Sequence, residues 1–193
     1  MVDISVLMCI HSEEEEWLIE SIESVLSQSY SNFEFIIVND NPSREINKKI
    51  LEYYSLKDLR ISVINNEINL GLTKSLNIGL RRTKGKYVAR MDADDISFLD
   101  RFSEQFEFME SNENFVLCGT QVRYIGSESK KKLSWIKKKN IDLKQNLIWG
   151  SVFVHPTVFI RSSVLKSNNI LLLPTITDDN GKLVLANMLA RES

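Results

Sequence analysis

Proline is scarce in this chain, with three in 193 residues, and glycine is little commoner at seven. No stretch therefore has the composition of a linker, and there is no low-complexity tract or internal repeat. One domain is expected across residues 1–193, long enough to bury roughly 70% of its unfolded surface. Cysteine is equally sparse. Cys9 and Cys118 both lie in apolar runs, which excludes a disulfide framework and predicts buried free thiols. The formal net charge of −2 argues against a dedicated nucleic-acid binder. No apolar run approaches the roughly 20 residues of a membrane span. The opening MVDISVLMCIHSEEEE lacks the basic start and long apolar region of a signal peptide, so a cytoplasmic protein is expected. The segment CIHSEEEE has no glycine, which counts against the Gly-rich phosphate loop of a nucleotidyltransferase.

What is present is a rhythm. ISVLMCI, FEFIIVND, RISVINN and YVARMD are short, nearly continuous apolar runs. Such runs suit strands buried on both faces. Helical patterns lie between them. Leu18, Ile22, Val25 and Leu26 share one face, as do Ile46, Ile50 and Tyr54, then Leu72, Leu76 and Leu80. Asn41-Pro42 reads as a cap with proline at the first helical position, and Gly71 opens the third helix. LDRFSEQFEFME continues with Phe102, Phe106 and Met109 inward. Strand and helix alternating four times predicts a Rossmann-like, mostly parallel α/β sheet flanked by helices. After Ser111 the rhythm changes. FVLCGTQVRYIG and HPTVFI read as strands, NIDLKQNLIWG as a short helix, and the last stretch from about Asp179 as helical.

In such sheets ligands bind beyond the carboxyl ends of the strands. That rule selects four loops, Cys9–Ser12, Asn39–Ser43, Asn65–Gly71 and Asp92–Asp95. The last holds three carboxylates in four residues. Asp92 and Asp94 are two apart at a strand end and point the same way. Two carboxylates there suit a hard divalent cation, Mg²⁺ or Mn²⁺, that keeps positions open for substrate phosphates. Asp95 is expected to begin or cap the next helix. Arg90, just before the acids, is a candidate partner for one of them.

Four segments together resemble the GT-A glycosyltransferases of the inverting family two, especially bacterial enzymes of surface-polysaccharide synthesis. They are ISVLMCIHSEEEEWLIESIESVLSQSYSNFEFIIVND, NEINLGLTKSLNIGLRRTKGKYVARMDADD, LDRF and VHPTVFIRSSVL, spanning Ile4 to about Leu165. The resemblance implies transfer of a sugar from a nucleoside diphosphate donor to an acceptor hydroxyl, with inversion. It implies a donor-binding half of about residues 1–111 and a short acceptor-side half of about 112–193. Asp94 would be the direct metal ligand, and Asp92 would face the donor ribose or the metal's waters. Asp40 resembles the acid that hydrogen-bonds the base. The family usually has Asp-Asp there, whereas this chain has Asn39-Asp40. Cys9 and His11 stand where the family places a Tyr that packs on the base, and His11 would stack instead. Asn69 and Gly71 match the loop that opens the third helix, and Lys74 would approach the diphosphate. His155-Pro156 matches an acceptor-side motif, which places His155 near the leaving diphosphate.

Inverting transfer needs one carboxylate to take the acceptor proton. In the family this comes late, as an acidic pair before an aromatic-rich helix. TDDNGKLVLANML resembles it, with Asp179 as base, Leu183-Val184-Leu185 as the helix start and Val184 in the tryptophan place. The alternative is that Asp178 and Asp179 cap a helix. Family members commonly continue further, so a compact or a truncated member is expected, and a truncated one would be a nucleotide-sugar binding module without turnover. KKKLSWIKKK is either a solvated loop or a patch for an anionic membrane or a lipid-diphosphate acceptor, at the inner face of the membrane. The implied acceptor is a glycan or a lipid-linked one.

Overall fold

Every residue of Ile4–Ile10 is buried, and this run forms the middle strand of the molecule. A computed structural model describes residues 1–123, 125, 154–167, 176–177 and 183–184. Its elements run β1 (Ile4–Ile10), α1 (Glu15–Leu26), β2 (Phe33–Asn39), α2 (Glu45–Lys57), β3 (Ile61–Asn65), α3 (Leu72–Leu80), β4 (Tyr87–Asp92), α4 (Arg101–Ser111) and β5 (Leu117–Cys118). A 3₁₀ turn (His155–Thr157) then leads to β6 (Phe159–Arg161), α5 (Ser162–Ser167), β7 (Ile176–Thr177) and β8 (Leu183–Val184).

Six strands form one sheet in the order β3-β2-β1-β4-β6-β5. The first four are parallel, while β6 runs antiparallel to β4 and β5 antiparallel to β6. β7 and β8 pair with each other in a separate two-stranded sheet. The period-2 alternation of a strand splits the core in two. Val6, Met8 and Ile10 join Leu18, Ile22, Ile50, Phe102 and Met109 on one face. Leu7 and Cys9 join Val38, Leu76, Val158 and Leu165 on the other. Helix α3 lies close on that second face because Gly79 has no side chain. A Cβ there would stand 2.4 Å from Leu7 Cδ1 and 2.9 Å from Val38 Cγ2.

Several local expectations are corrected. Asn41-Pro42 does not start α2. Arg44 N–H donates to Asn41 O at 3.1 Å, and the helix begins at Glu45. Proline's fixed φ serves the second position of a turn as well as the first of a helix. Leu72 is 48% exposed, and Leu76 with half-buried Leu80 carries the packing of α3. Asp95 does not cap the next helix, whose N-cap position is Asp100. The intervening loop is tied to α1 instead. Ser97 N–H donates to Ser24 Oγ at 2.9 Å, and Gln28 Nε2 donates to Phe98 O at 2.7 Å. His155–Thr157 is a 3₁₀ turn, so the expected HPTVFI strand shortens to Phe159–Arg161. Leu183–Val184 is a strand and not the start of a helix, its backbone being paired with Ile176–Thr177. Cys9 is buried and Cys118 half-buried, both as free thiols.

Candidate functional site

The carboxyl ends of β1–β4 finish level with one another. Cys9 is in register with Asp92 and with Val38, Ile10 with Asn39, and Asn39 with Asn65. The strand order changes direction between β1 and β4, so this rim is the topological switch point.

Asp40 follows β2 directly and is only 2% exposed. Its Oδ1 accepts hydrogen bonds from Asn66 Nδ2 at 2.7 Å and Leu70 N–H at 2.8 Å, and its Oδ2 accepts one from Gly71 N–H at 2.8 Å. Burial pushes this carboxyl up, but the hydrogen bonds from Leu70, Asn66, Ser75 and Gly71 outweigh it and hold the group below its usual value. Asp40 thus anchors the 66–71 loop and the entry to α3. The loop turns at Gly71 with φ +83°, a conformation glycine adopts at little cost.

The neutral Asn39 has a physical reason. It is fully buried, its Nδ2 donates to Asn65 Oδ1 at 3.0 Å, and its Oδ1 accepts from Asn41 N–H and Asn47 Nδ2, each at 3.2 Å. A carboxylate there would have no proton for Asn65 Oδ1 and would crowd Asp40. Asn47 Nδ2 also donates to His11 O at 2.9 Å, joining this amide network to the β1 loop.

His11 and Asn69 meet at the surface, with His11 Nε2 2.8 Å from Asn69 Nδ2. Gly71 N–H donates to Asn69 Oδ1 at 3.0 Å, so the Asn69 amide presents its NH₂ to the ring. The His11 ring is thereby held against the Asn69 amide. Cys9 is buried near the end of β1, and burial, followed by the charge of Asp40, pushes its thiol up to about 12. Lys74 is on the first turn of α3 with its side chain exposed.

On the other side of β1 stand the acids. One carboxylate oxygen from each of Asp92, Asp94 and Asp95 lies within 4.8 Å of the others. Asp92 is half-buried, and its backbone oxygen accepts from Ser21 Oγ at 2.9 Å. Arg90, 4% exposed, forms an ion pair with Asp92 Oδ1 and donates to Met91 O. Its Nε has no hydrogen-bond partner. Arg101 lies behind Arg90 and donates to Arg90 O at 2.8 Å, Gln105 Oε1 at 3.0 Å and Met91 Sδ at 3.4 Å. Burial draws this guanidinium down to about 10. Asp95 is pushed up to about 6 by burial and then by the charges of Asp92 and Asp94. Three oxygen donors at this spacing fit a hard divalent cation.

His155 comes to the same place from the 3₁₀ turn beside β4, where Arg90 N–H donates to Val158 O at 2.9 Å. Burial lowers its pKa, Arg90 lowers it further, and Asp92 opposes them, so the imidazole is neutral at pH 7. The rim therefore unites Cys9, His11, Asp40, Asn69, Asp92, Asp94 and His155. Asp178 and Asp179 lie outside the described residues, as do the KKKLSWIKKK and NIDLKQNLIWG segments. Arg101 and Gln105 were not singled out from sequence. Their signal was a cation and an amide four residues apart on the inward face of α4.

An open, mostly parallel sheet of this order, with an oxygen-lined acidic rim at its switch point, is that of a GT-A glycosyltransferase. Residues 5–167 match the family model described as glycosyl transferase family 2, and the chain belongs to that family. A Methanocaldococcus jannaschii glycosyltransferase, MJ1057, named as uncharacterised, is 38% identical over 165 residues, 84% of this chain and 57% of its own length. The amylovoran biosynthesis glycosyltransferase AmsE of Erwinia amylovora is 34% identical over 158 residues, 81% of this chain and 59% of its own. The chain thus spans under two thirds of these relatives. Among solved structures, S. aureus TarS 1-349 in complex with UDP-GlcNAc superposes with a TM-score of 0.70 at 21% identity, covering 93% of this chain and 51% of TarS. The mannosyltransferase PcManGT of Pyrobaculum calidifontis, in complex with GDP-Man and Mn²⁺, gives 0.64 at 14% identity, covering 94% and 49%. These two show the shared fold. Among the described residues no helix is long and apolar enough to cross a membrane.

Proposed function

We propose that the chain transfers a sugar from a nucleoside diphosphate donor to an acceptor hydroxyl with inversion, in the synthesis of a surface polysaccharide. The observation that carries this reading is the pairing of two unlike rims across β1. One is a polar rim where His11 and Asn69 meet at the surface, backed by the buried Asn39 and Asp40, and the other is the carboxylate trio at 92–95. The first suits a nucleoside and the second a divalent cation with a diphosphate. Family membership supports the reaction class, and the nucleotide sugars bound by TarS and PcManGT supply the analogy for the donor.

Asp94, exposed at the rim, and Asp92 would hold Mn²⁺ or Mg²⁺. The bound ion would neutralise the departing diphosphate. His11, held by Asn69, would give a flat ring for the base, with Cys9 buried in the adjoining strand. Asp40 serves the donor through the 66–71 loop that it holds, since its oxygens are already engaged. Lys74 offers the diphosphate a mobile cation from α3. His155, a neutral imidazole beside Arg90 and Asp92, would donate a hydrogen bond to the leaving group. Asp179 is assigned the acceptor's proton. Donor binding then belongs to residues 1–111 and the acceptor side to 112–193 within one domain. A glycan or lipid-linked acceptor at the cytoplasmic membrane face completes the reading.

The test is thermal stability with UDP, GDP, CDP and dTDP, each with and without Mn²⁺. A ligand that binds the native state raises the midpoint by mass action. A metal-dependent rise with one nucleotide is expected, and its identity names the base. No rise with any of the four sinks the donor assignment.

A further inference from the structure

We infer that Arg90 makes cation binding at this rim conditional on the donor: its buried charge keeps the three carboxylates from holding a divalent ion alone, so the ion stays only when a diphosphate is present. This rests on the donor reading above.

Three observations lead there. First, Asp92, Asp94 and Asp95 bring their oxygens within 4.8 Å, a density of negative charge that by itself attracts a divalent ion strongly. Second, a guanidinium that is 4% exposed is fixed directly behind them, with one N–H left unpartnered. That is an expensive placement, because a buried donor without an acceptor keeps its full desolvation cost. Third, Arg90 is held at both ends: its guanidinium donates to Met91 O and pairs with Asp92. Its backbone is pinned in β4 by Val158 O, and its own carbonyl is capped by Arg101, which Gln105 orients while donating to Thr157 O at 2.9 Å.

The consequence is twofold. Arg90 occupies Asp92 Oδ1, which removes that oxygen from the ion's reach. It also repels the ion at short range, in a region where burial weakens solvent screening. A diphosphate adds the missing negative charge and ligand oxygens. Arg90 is therefore a positioning residue, acting through Asp92 and through charge, and touching no reacting atom. Its value to a transferase is release: once the nucleoside diphosphate leaves, the ion is not retained on a site that would otherwise stay filled.

The experiment measures free Mn²⁺ by its electron paramagnetic resonance signal, with wild type, Arg90→Met and Arg90→Lys, alone and with the nucleoside diphosphate that the stability test selects. Asp92 is partly solvated, so the methionine variant leaves no fully buried acid without a partner. Arg90→Met should bind Mn²⁺ alone at least about tenfold more tightly than wild type, the equivalent of ~1.4 kcal/mol. Arg90→Lys, which keeps the charge, should stay with wild type, and added nucleotide should close the gap. An Arg90→Met protein with unchanged melting and no gain in Mn²⁺ affinity overturns the inference, as does a lysine variant that matches the methionine one. Where Arg90→Met does not fold, wild type and Arg90→Lys decide the matter: Mn²⁺ binding as tight without nucleotide as with it overturns the inference. No nucleotide effect on any chain overturns the donor reading as well, whereas a normal nucleotide effect with an unaltered Arg90→Met overturns this inference alone.

Discussion

The two ends of the parallel sheet treat charge in opposite ways. At the amino ends, charges close on each other. Lys86 Nζ meets Glu110 Oε1 at 2.6 Å, Tyr87 OH donates to the same oxygen at 2.6 Å, and Arg161 Nη1 donates to Tyr87 OH at 2.7 Å. Asp58 and Arg60 pair at 2.7 Å, and Glu34 Oε1 accepts from Ser5 Oγ and Lys84 N–H. At the carboxyl ends, three carboxylates face one ion-paired guanidinium, and acid is left over. The amino ends therefore hold the fold and the carboxyl ends hold capacity for a ligand. Charge imbalance at one end of an otherwise satisfied sheet is what separates a site from a structural network.

Substitutions at the two ends should divide cleanly between ligand affinity and stability. The largest effect is expected at the acidic rim. Asp94→Asn should lower metal-dependent nucleotide affinity by at least the about 10–100-fold typical of outer-sphere partners, with little change in melting, read by titration calorimetry and thermal scans. Comparable loss in melting without metal would erase the division. Next is Gly85→Ala at the opposite end. Its Cβ would stand 2.5 Å from Ser5 N and 2.8 Å from Ile4 C, both backbone atoms that cannot yield. A cost near the top of the about 1–3 kcal/mol range for overpacking is expected in urea unfolding, with nucleotide affinity per folded molecule unchanged.

Asp40→Asn should cost about 1.5–3 kcal/mol, the range for hydrogen bonds to a charged group, since the amide cannot accept from Leu70, Asn66 and Gly71 together. This is the one rim residue expected to move both readouts. Its folded pKa lies below the unfolded value, so its stabilisation is complete above an unfolded pKa of about 3.9. It fades as pH falls through the folded value. The variant should therefore lose less stability than wild type between pH 5 and lower pH in parallel denaturation curves. The smallest effect is Lys86→Ala. Both partners are exposed, so less than about 1 kcal/mol is expected, with no change in ligand binding.

The sheet itself was legible because its strands are apolar on both faces and each is followed by a helical period. Ile4–Ile10 and Phe33–Asn39 read as strands without help from any distant residue. The acid cluster at the end of β4 was legible too, but β4 stops at Asp92, and a turn with Asp95 N–H 3.4 Å from Asp92 O, not the expected extended backbone, brings Asp94 round. Within the strand the i, i+2 spacing does put Arg90 beside Asp92. What escaped depends on partners far along the chain. Asp40 reads as an open ligand in sequence, yet its acceptors are filled by groups 26 to 31 residues away. Asp95 lost its expected cap because Ser24 and Gln28, about seventy residues earlier, hold the following loop away from helical geometry. Arg101 was not singled out at all, and only the position of Arg90 O reveals why a guanidinium is buried there. Local pattern specified the elements, while the polar loops between them were set by tertiary hydrogen bonds.

Cys9 gives this rim a built-in clock. A thiol pushed up to about 12 and packed with Val38 and Leu76 at 6% exposure holds almost no thiolate at neutral pH, so an alkylating reagent meets it only during moments of local opening. Cys118, on the far edge strand and pushed up to about 11, times the opening of a different part of the sheet. The ratio of the two labelling rates reports how often the carboxyl end of β1 opens relative to the sheet edge. A ligand seated at this rim should slow the first rate and leave the second untouched.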